Sequence, residues 1–311
     1  MSLSPFHTDE LTAQARAGVK AGGAGIRAFM PDQHRTFFAA LPILYVSSLD
    51  VEGKPLASVL TGSAGFVHSP DPVTLRIDAR HDANDPAAGT LEVGDEVGLL
   101  GLDFATRRRN RANGRVVVVD DSGFTLALQQ SFGNCPQYIQ RRTVSPGPSV
   151  SAPAKPLSSH AGEARKLIVE ADTYFVASRS RSPIGDAGGA DISHRGGRPG
   201  FVRVSANTLS IPDFRGNNYF NTLGNLVGEP HASLLFIDFE TGDVLQLQGT
   251  VRIDWNQRAV RQFEGVERLW HFEVARGWMR RNAVPLRWSF VEYSPVTLQT
   301  GKWLSGLPVT P

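Results

Sequence analysis

Apolar and polar positions alternate along most of this chain in short runs, and the runs come in two sets. After residue 41 the β-branched and apolar stretches Leu44–Ser48, Leu56–Leu60, Val73–Ile77, Val97–Leu102, Arg115–Val119 and Phe124–Leu128 are separated by turn residues such as Glu52-Gly53 and Asp121-Ser-Gly123. Strands of this length bounded by turns predict an antiparallel sheet or barrel. The same texture returns in Tyr174–Ser178, Phe201–Val204, Thr208–Ile211, Ser233–Asp238, Val244–Ile253 and Trp288–Tyr293. Helical spacing is confined to three places. Residues 8–38 read as a lead-in of helices, and His160 to Ala171 places Ala164, Leu167, Ile168 and Ala171 on one buried stripe. Between Ile211 and Glu229, Phe220, Leu223, Leu226 and Val227 form an apolar face, Gly228 ends the helix, and Asn217 or Asn218 is the expected N-cap.

The two sets repeat each other in wording. Ser58–Val67 matches Ser193–Val202 at five of ten positions, and Val97–Thr106 matches Ala232–Thr241 at five of ten, both at an offset of 135 residues. Self-similarity at one fixed offset predicts one fold written twice. The copies differ in charge, since Arg195 in the second faces Leu60 in the first. Ser145–Pro156, rich in proline and poor in large apolar side chains, reads as the linker between them. The expected organisation is therefore a helical lead-in over 1–40, a first barrel over 41–144, a linker over 145–157 and a second barrel over 158–311.

Composition narrows the function. The chain has 311 residues, 41% apolar and 20% charged, with a formal charge of +2, the balance of a globular protein with room for two cores. Arg107–Arg111 is a basic run without the interleaved aromatics of a nucleic-acid surface, so no nucleic-acid partner is expected. A single cysteine, Cys135, rules out an intrachain disulfide and a thiolate cluster, and dispersed histidines predict no protein-bound metal. No apolar run suits a membrane span, and the expected location is the cytoplasm.

Candidate chemistry lies in the second copy. A helix entered through Pro212-Asp-Phe-Arg-Gly-Asn-Asn218 offers free N–H groups and a favourable dipole to a phosphate, with Arg215 adding a charged fork. Arg195 and Arg198 stand beside glycines that allow close backbone approach. On a strand, alternation would send Arg107, Arg109 and Arg111 to one face, a positive wall over a ligand or a solvated surface. Cys135, beside Pro136, is read at a helix start where a thiolate is favoured, or as a plain structural residue.

The stretches Ala190–Val202 and Leu209–Leu226, followed by Glu229-Pro230 and the Leu234–Asp238 strand, resemble the flavin-binding segment of the pyridoxamine 5′-phosphate oxidase-like superfamily. Phe132–Arg142 resembles a second motif of its tandem-domain members. The resemblance implies a mainly β protein with peripheral helices, two tandem split β-barrels of antiparallel Greek-key type, with non-covalent FMN between them. It places Asp191, Ser193, Arg195 and Gly196 along the ribityl-phosphate arm, Ile211, Pro212 and Asp213 beside the isoalloxazine, and Arg215, Asn217, Asn218 and Thr222 around the phosphate. Arg109, Arg111, Tyr138 and Arg141 are the candidates for a second wall, a solvated surface being the alternative reading. It further implies one FMN per chain, a homodimer, and an oxidoreductase passing hydride between a nicotinamide-type donor and a small-molecule substrate. A non-catalytic flavin carrier or sensor and a haem-binding barrel are the alternatives. Pro285–Phe290 lacks the histidine of the substrate motif of the oxidases proper, and their Arg-and-Lys phosphate pair is replaced by Arg195 with glycines and asparagines, so vitamin B6 oxidation is not expected.

Overall fold

The computed structural model describes residues 4–148, 150, 152–157, 162–181, 188–256, 260, 263–304 and 307–309. It begins with helices α1 (Thr8–Arg16) and α2 (Asp32–Ala39). Strands β1 (Ile43–Leu49), β2 (Pro55–Thr61), β3 (Val67–His68), β4 (Thr74–Ile77), β5 (Glu96–Asp103), β6 (Arg108–Asp120) and β7 (Gly123–Gly133) build the first sheet. After β8 (Arg141–Pro146), β9 (Lys155–Pro156) and α3 (Glu163–Glu170) comes a second sheet. It contains β10 (Thr173–Ser180), β11 (Gly189–Gly196), β12 (Arg203–Ser205), β13 (Thr208–Phe214), β14 (His231–Ile237), β15 (Val244–Asp254) and β16 (Val266–Arg280), with α4 (Asn221–Gly228) between β13 and β14. Strand β17 (Leu286–Glu292) pairs with β8, and β18 (Lys302–Leu304) pairs with β19 (Leu307–Val309).

The fold is mainly β, two large antiparallel sheets each curled as a split barrel about its own core. The strand orders are β2-β1-β5-β6-β7-β4-β3 and β11-β10-β14-β15-β16-β13-β12, the same path taken twice. One core gathers Leu44, Val46, Leu75, Leu99 and Leu126, the other Tyr174, Leu209, Leu234, Phe236 and Trp270. Among the described residues no helix is long and apolar enough to cross a membrane.

A third core joins the two sheets. Val59, Leu100 and Leu102 meet Ile192, Leu235 and Val244, and the Tyr45 and Phe175 rings stack with centroids 3.7 Å apart. Alternation explains how one strand serves two cores: Leu99 faces its own barrel while Leu100 faces the other half. The approach is close, since a Cβ on Gly98 would come within 2.7 Å of Asp191 Cα and 2.8 Å of the Ala190 carbonyl oxygen.

Several elements depart from the sequence pattern. The lead-in reaches the second half, where α1 packs on α4, with Glu10 and Asn221 in a hydrogen bond of 2.6 Å. The stretch read as linker carries the end of β8 and the whole of β9, which pairs with β16. The predicted start of α3 at His160 lies outside the described residues. Helix α4 begins later than expected: its N-cap is Phe220 in the left-handed region, without a side-chain cap, and Asn218 at φ 61° belongs to the turn before it. Arg107 also has a left-handed φ of 55° and sits in the β5–β6 turn, so only Arg109 and Arg111 share a strand face.

Candidate functional site

Strand β11 carries the centre of the site. Its alternation turns Asp191, Ser193 and Arg195 to one side and Ile192 and His194 toward the other half. Strand β6 of the first half crosses here and donates Arg111: Nε to the Ile192 carbonyl at 3.1 Å, one terminal nitrogen to Asn221 Oδ1 at 2.9 Å, and the other to Ser193 Oγ. Asp191 lies 3.3 Å from Arg111 and accepts from Asn113 at 3.2 Å. Ser193 and Thr222 hydroxyls are 2.7 Å apart. This buried lattice pins the start of α4 against both sheets.

In front of it opens a cleft between the two halves. Of the residues expected to hold a ligand, Ser193, Arg195, Gly196, Pro212, Asp213, Asn217, Asn218 and Thr222 line it, joined from the first half by Arg109, Arg111 and Tyr138. Four are elsewhere. Asp191 is buried behind Arg111, and Ile211 is fully buried in the second core because alternation on β13 turns it inward. Arg215 is exposed and is not among the lining residues; its carbonyl accepts the Tyr138 hydroxyl at 2.9 Å. Arg141 pairs at the surface with Glu292 at 3.3 Å.

The loop after β7 closes the cleft. Asn134, Cys135, Gln137 and Tyr138 line it in an irregular segment, so Cys135 does not start a helix. Tyr138 lies over Phe214 with ring centroids 5.4 Å apart. Its carbonyl explains Gly196, where a Cβ would come within 2.0 Å of that oxygen.

Electrostatics single out one residue. Arg195 donates to Asp213 at 2.7 Å, Arg268 to the other oxygen of Asp213 at 2.8 Å, and Arg268 also to Glu267 at 2.7 Å. Arg111 has Asp191. Arg109 has no carboxylate partner among the described residues; it donates to His194 Nδ1 at 3.0 Å, and its Nε is buried with no partner. Burial, then the like charges of Arg111 and Arg195, lower its pKa to about 9, so it remains cationic at neutral pH. His194 is held neutral, its pKa pushed well below 6.5 by burial and by the surrounding guanidiniums. Because Arg109 can only donate, Nδ1 must accept and the His194 proton sits on Nε2, itself without a partner. Burying an uncompensated guanidinium is costly, and an anion beside it removes the cost.

No family model and no curated protein matches this sequence. Solved structures do. The chain is similar to HupZ of Group A Streptococcus, 15% identical over 38% of this chain and 98% of that one, TM-score 0.30. It is also similar to a FAD-binding protein of Mesorhizobium loti, 10% identical over 41% and 97%, TM-score 0.28. A third is a Clostridium acetobutylicum protein related to general stress protein 26, of the pyridoxinephosphate oxidase family, 12% identical over 42% and 92%, TM-score 0.28. These are likenesses of fold alone. Each of these proteins spans about two-fifths of this chain.

Sequence reasoning missed His194, Glu267 and Arg268. His194 stands inside the quoted Ser-His-Arg, but strand alternation separates it from its neighbours. Arg268 lies on β16, the longest described strand, whose apolar pattern is broken by buried Arg268 on its core face and buried Arg280 on the face toward the other half.

The equivalent place in the first half is filled. Ser58 and Gln246 stand 135 residues from Ser193 and Arg111, and both bond Asp85, at 2.6 and 3.1 Å. Arg280 closes the cluster with an ion pair to Asp85 at 2.8 Å, each side chain 1% exposed. Turns over residues 83–89 stand where the second half has α4.

Proposed function

We propose that the cleft binds FMN, one per chain, and that the protein is an FMN-dependent oxidoreductase acting between a nicotinamide-type donor and a small organic acceptor. The observation that carries this reading is Arg109, a half-buried cation whose Nε is buried without a partner and which meets no carboxylate among the described residues, on the wall of the cleft. The residues present suit the cofactor: Arg109 and Arg195 for the phosphate, the N-terminal N–H groups of α4 beside them, and Tyr138, Pro212 and Phe214 as a flat apolar wall. Flavin, when bound, supplies hydride transfer at N5. The chain's own groups orient and exclude water: Asp213, clamped by Arg195 and Arg268, is fixed in place, and neutral His194 offers a donor without adding charge.

The test is spectroscopic. Protein mixed with FMN and freed of excess should keep an oxidised-flavin absorption spectrum that NADH or NADPH bleaches without oxygen and air restores. Failure to retain FMN sinks the binding reading; retention without bleaching by either donor sinks the donor class.

A further inference from the structure

Helix α1 stands behind the flavin cleft and is joined to it by a relay of buried side chains. Glu10, 3% exposed, accepts from the Asn221 amide nitrogen at 2.6 Å and, through its other oxygen, from the His7 backbone N–H at 3.0 Å. The Asn221 amide oxygen accepts from Arg111 at 2.9 Å, so the amide is held one way round, its oxygen toward the guanidinium and its nitrogen toward the carboxyl. Asn221 and Arg111 both line the cleft, whereas Glu10 is not among its lining residues. The relay thus runs from α1 through α4 to β6, and a single carboxyl closes it.

Two charged side chains act on that carboxyl, Asp191 on β11 and Arg111 on β6. On its own helix His7 stands 3.7 Å away and is kept neutral at pH 7 and above by burial, with Asp9 acting on the imidazole. Helix α4 and strand β10 present neutral groups here, Asn221 to Glu10 and Asn225 and Ser180 to His7. Arg111 and Asp191, 3.3 Å apart, cancel as a pair. Protonated Glu10 leaves that balance intact, whereas ionised Glu10 gives the trio a net negative charge behind the wall that carries Arg109 and Arg195. Desolvation pushes the carboxyl pKa up to about 8, so the change falls within ordinary working pH.

We propose that Glu10 is a positioning residue for the flavin site, acting through Asn221 on Arg111 and coupling FMN binding to the uptake of a proton from solvent. The inference rests on the flavin reading of the cleft and adds a regulation to it. FMN brings a phosphate anion, so cofactor and Glu10 charge oppose each other. Ionising Glu10 weakens FMN, and by reciprocity bound FMN holds the Glu10 proton more tightly.

The test compares FMN affinity of the full chain with that of Glu10→Gln, by fluorescence titration between about pH 6.5 and 9. We expect nearly equal affinities at the acid end, and at the alkaline end a wild-type affinity at least about fivefold weaker than that of the variant. Arg109, with its pKa of about 9, titrates in both proteins and drops out of the comparison. Riboflavin, which lacks the phosphate, should show little difference between the two. If Glu10→Gln fails to fold, carbon-13 NMR of the wild-type chain labelled at its glutamate carboxyls decides: the carboxyl that titrates near pH 8 should titrate higher once FMN is added. A role in helix packing alone would change FMN affinity by the same factor at every pH. Parallel pH profiles for the two proteins, or a titration near 8 unmoved by FMN, would overturn the inference and leave the flavin reading standing. FMN binding at no pH would overturn both.

Discussion

Arg109 is where charge and burial disagree within the chain, and that disagreement is what a ligand can resolve. Arg109→Ala should weaken FMN by about 1.5–3 kcal/mol, the usual worth of a hydrogen bond to a charged group. Riboflavin, which lacks the phosphate, should lose far less, and fluorescence titration of the two flavins separates a phosphate contact from a general collapse of the site. Arg195→Ala should cost a similar amount for FMN, since the cleft loses one cation and Asp213 is left with Arg268 as its one charged partner among the described residues. Arg215→Ala, by contrast, should leave FMN affinity nearly unchanged, because only its backbone carbonyl meets the cleft wall. From its residue type and neighbours, Arg215 reads as a phosphate ligand; the fold leaves it exposed just past β13 and outside the lining of the cleft. His194 was invisible for the converse reason, since its role depends on a residue 85 positions earlier in the chain.

At the scale of elements, α1 and α4 form a coupled pair at the edge of the site. Glu10, nearly buried between them, has a pKa raised to about 8, chiefly by desolvation. The unfolded chain releases this proton near 4.5, so folding takes up a proton between those values and this contribution to stability falls as pH rises from 4.5 to 8. Glu10→Gln should flatten that slope and raise the melting temperature at pH 8 more than at pH 5, which thermal scans across that range would check. Gly224 permits the contact: a Cβ there would lie 2.6 Å from Glu10 Cα. Gly224→Ala should therefore cost about 1–3 kcal/mol by overpacking and expose the amino-terminal segment to limited proteolysis. The strands with clean alternation were legible from sequence because one face meets a core. Strand β16 was not, because Arg268 interrupts its core face and Arg280 the face toward the other half, their charges matched by Asp213 and Asp85, far away in sequence.

For the whole molecule, the shared core through Tyr45 and Phe175 makes each half the wall of the other. Gly98→Val should pry β5 from β11 and so weaken flavin binding and lower the melting temperature together, an outcome that differential scanning calorimetry with and without FMN would register. Flavin should saturate at one per chain, since the Asp85–Arg280 pair fills the place related to the cleft; a ratio near two would contradict this. The sequence by itself determined the strand texture, the offset of 135 residues and the location of a candidate anion site in residues 190–226, all of which depend on local periodicity and residue type. Only the tertiary structure decided which cations stay free. Arg109 meets no carboxylate among the described residues, whereas Asp191 reaches Arg111 and Asp85 reaches Arg280 only because the two halves close on each other.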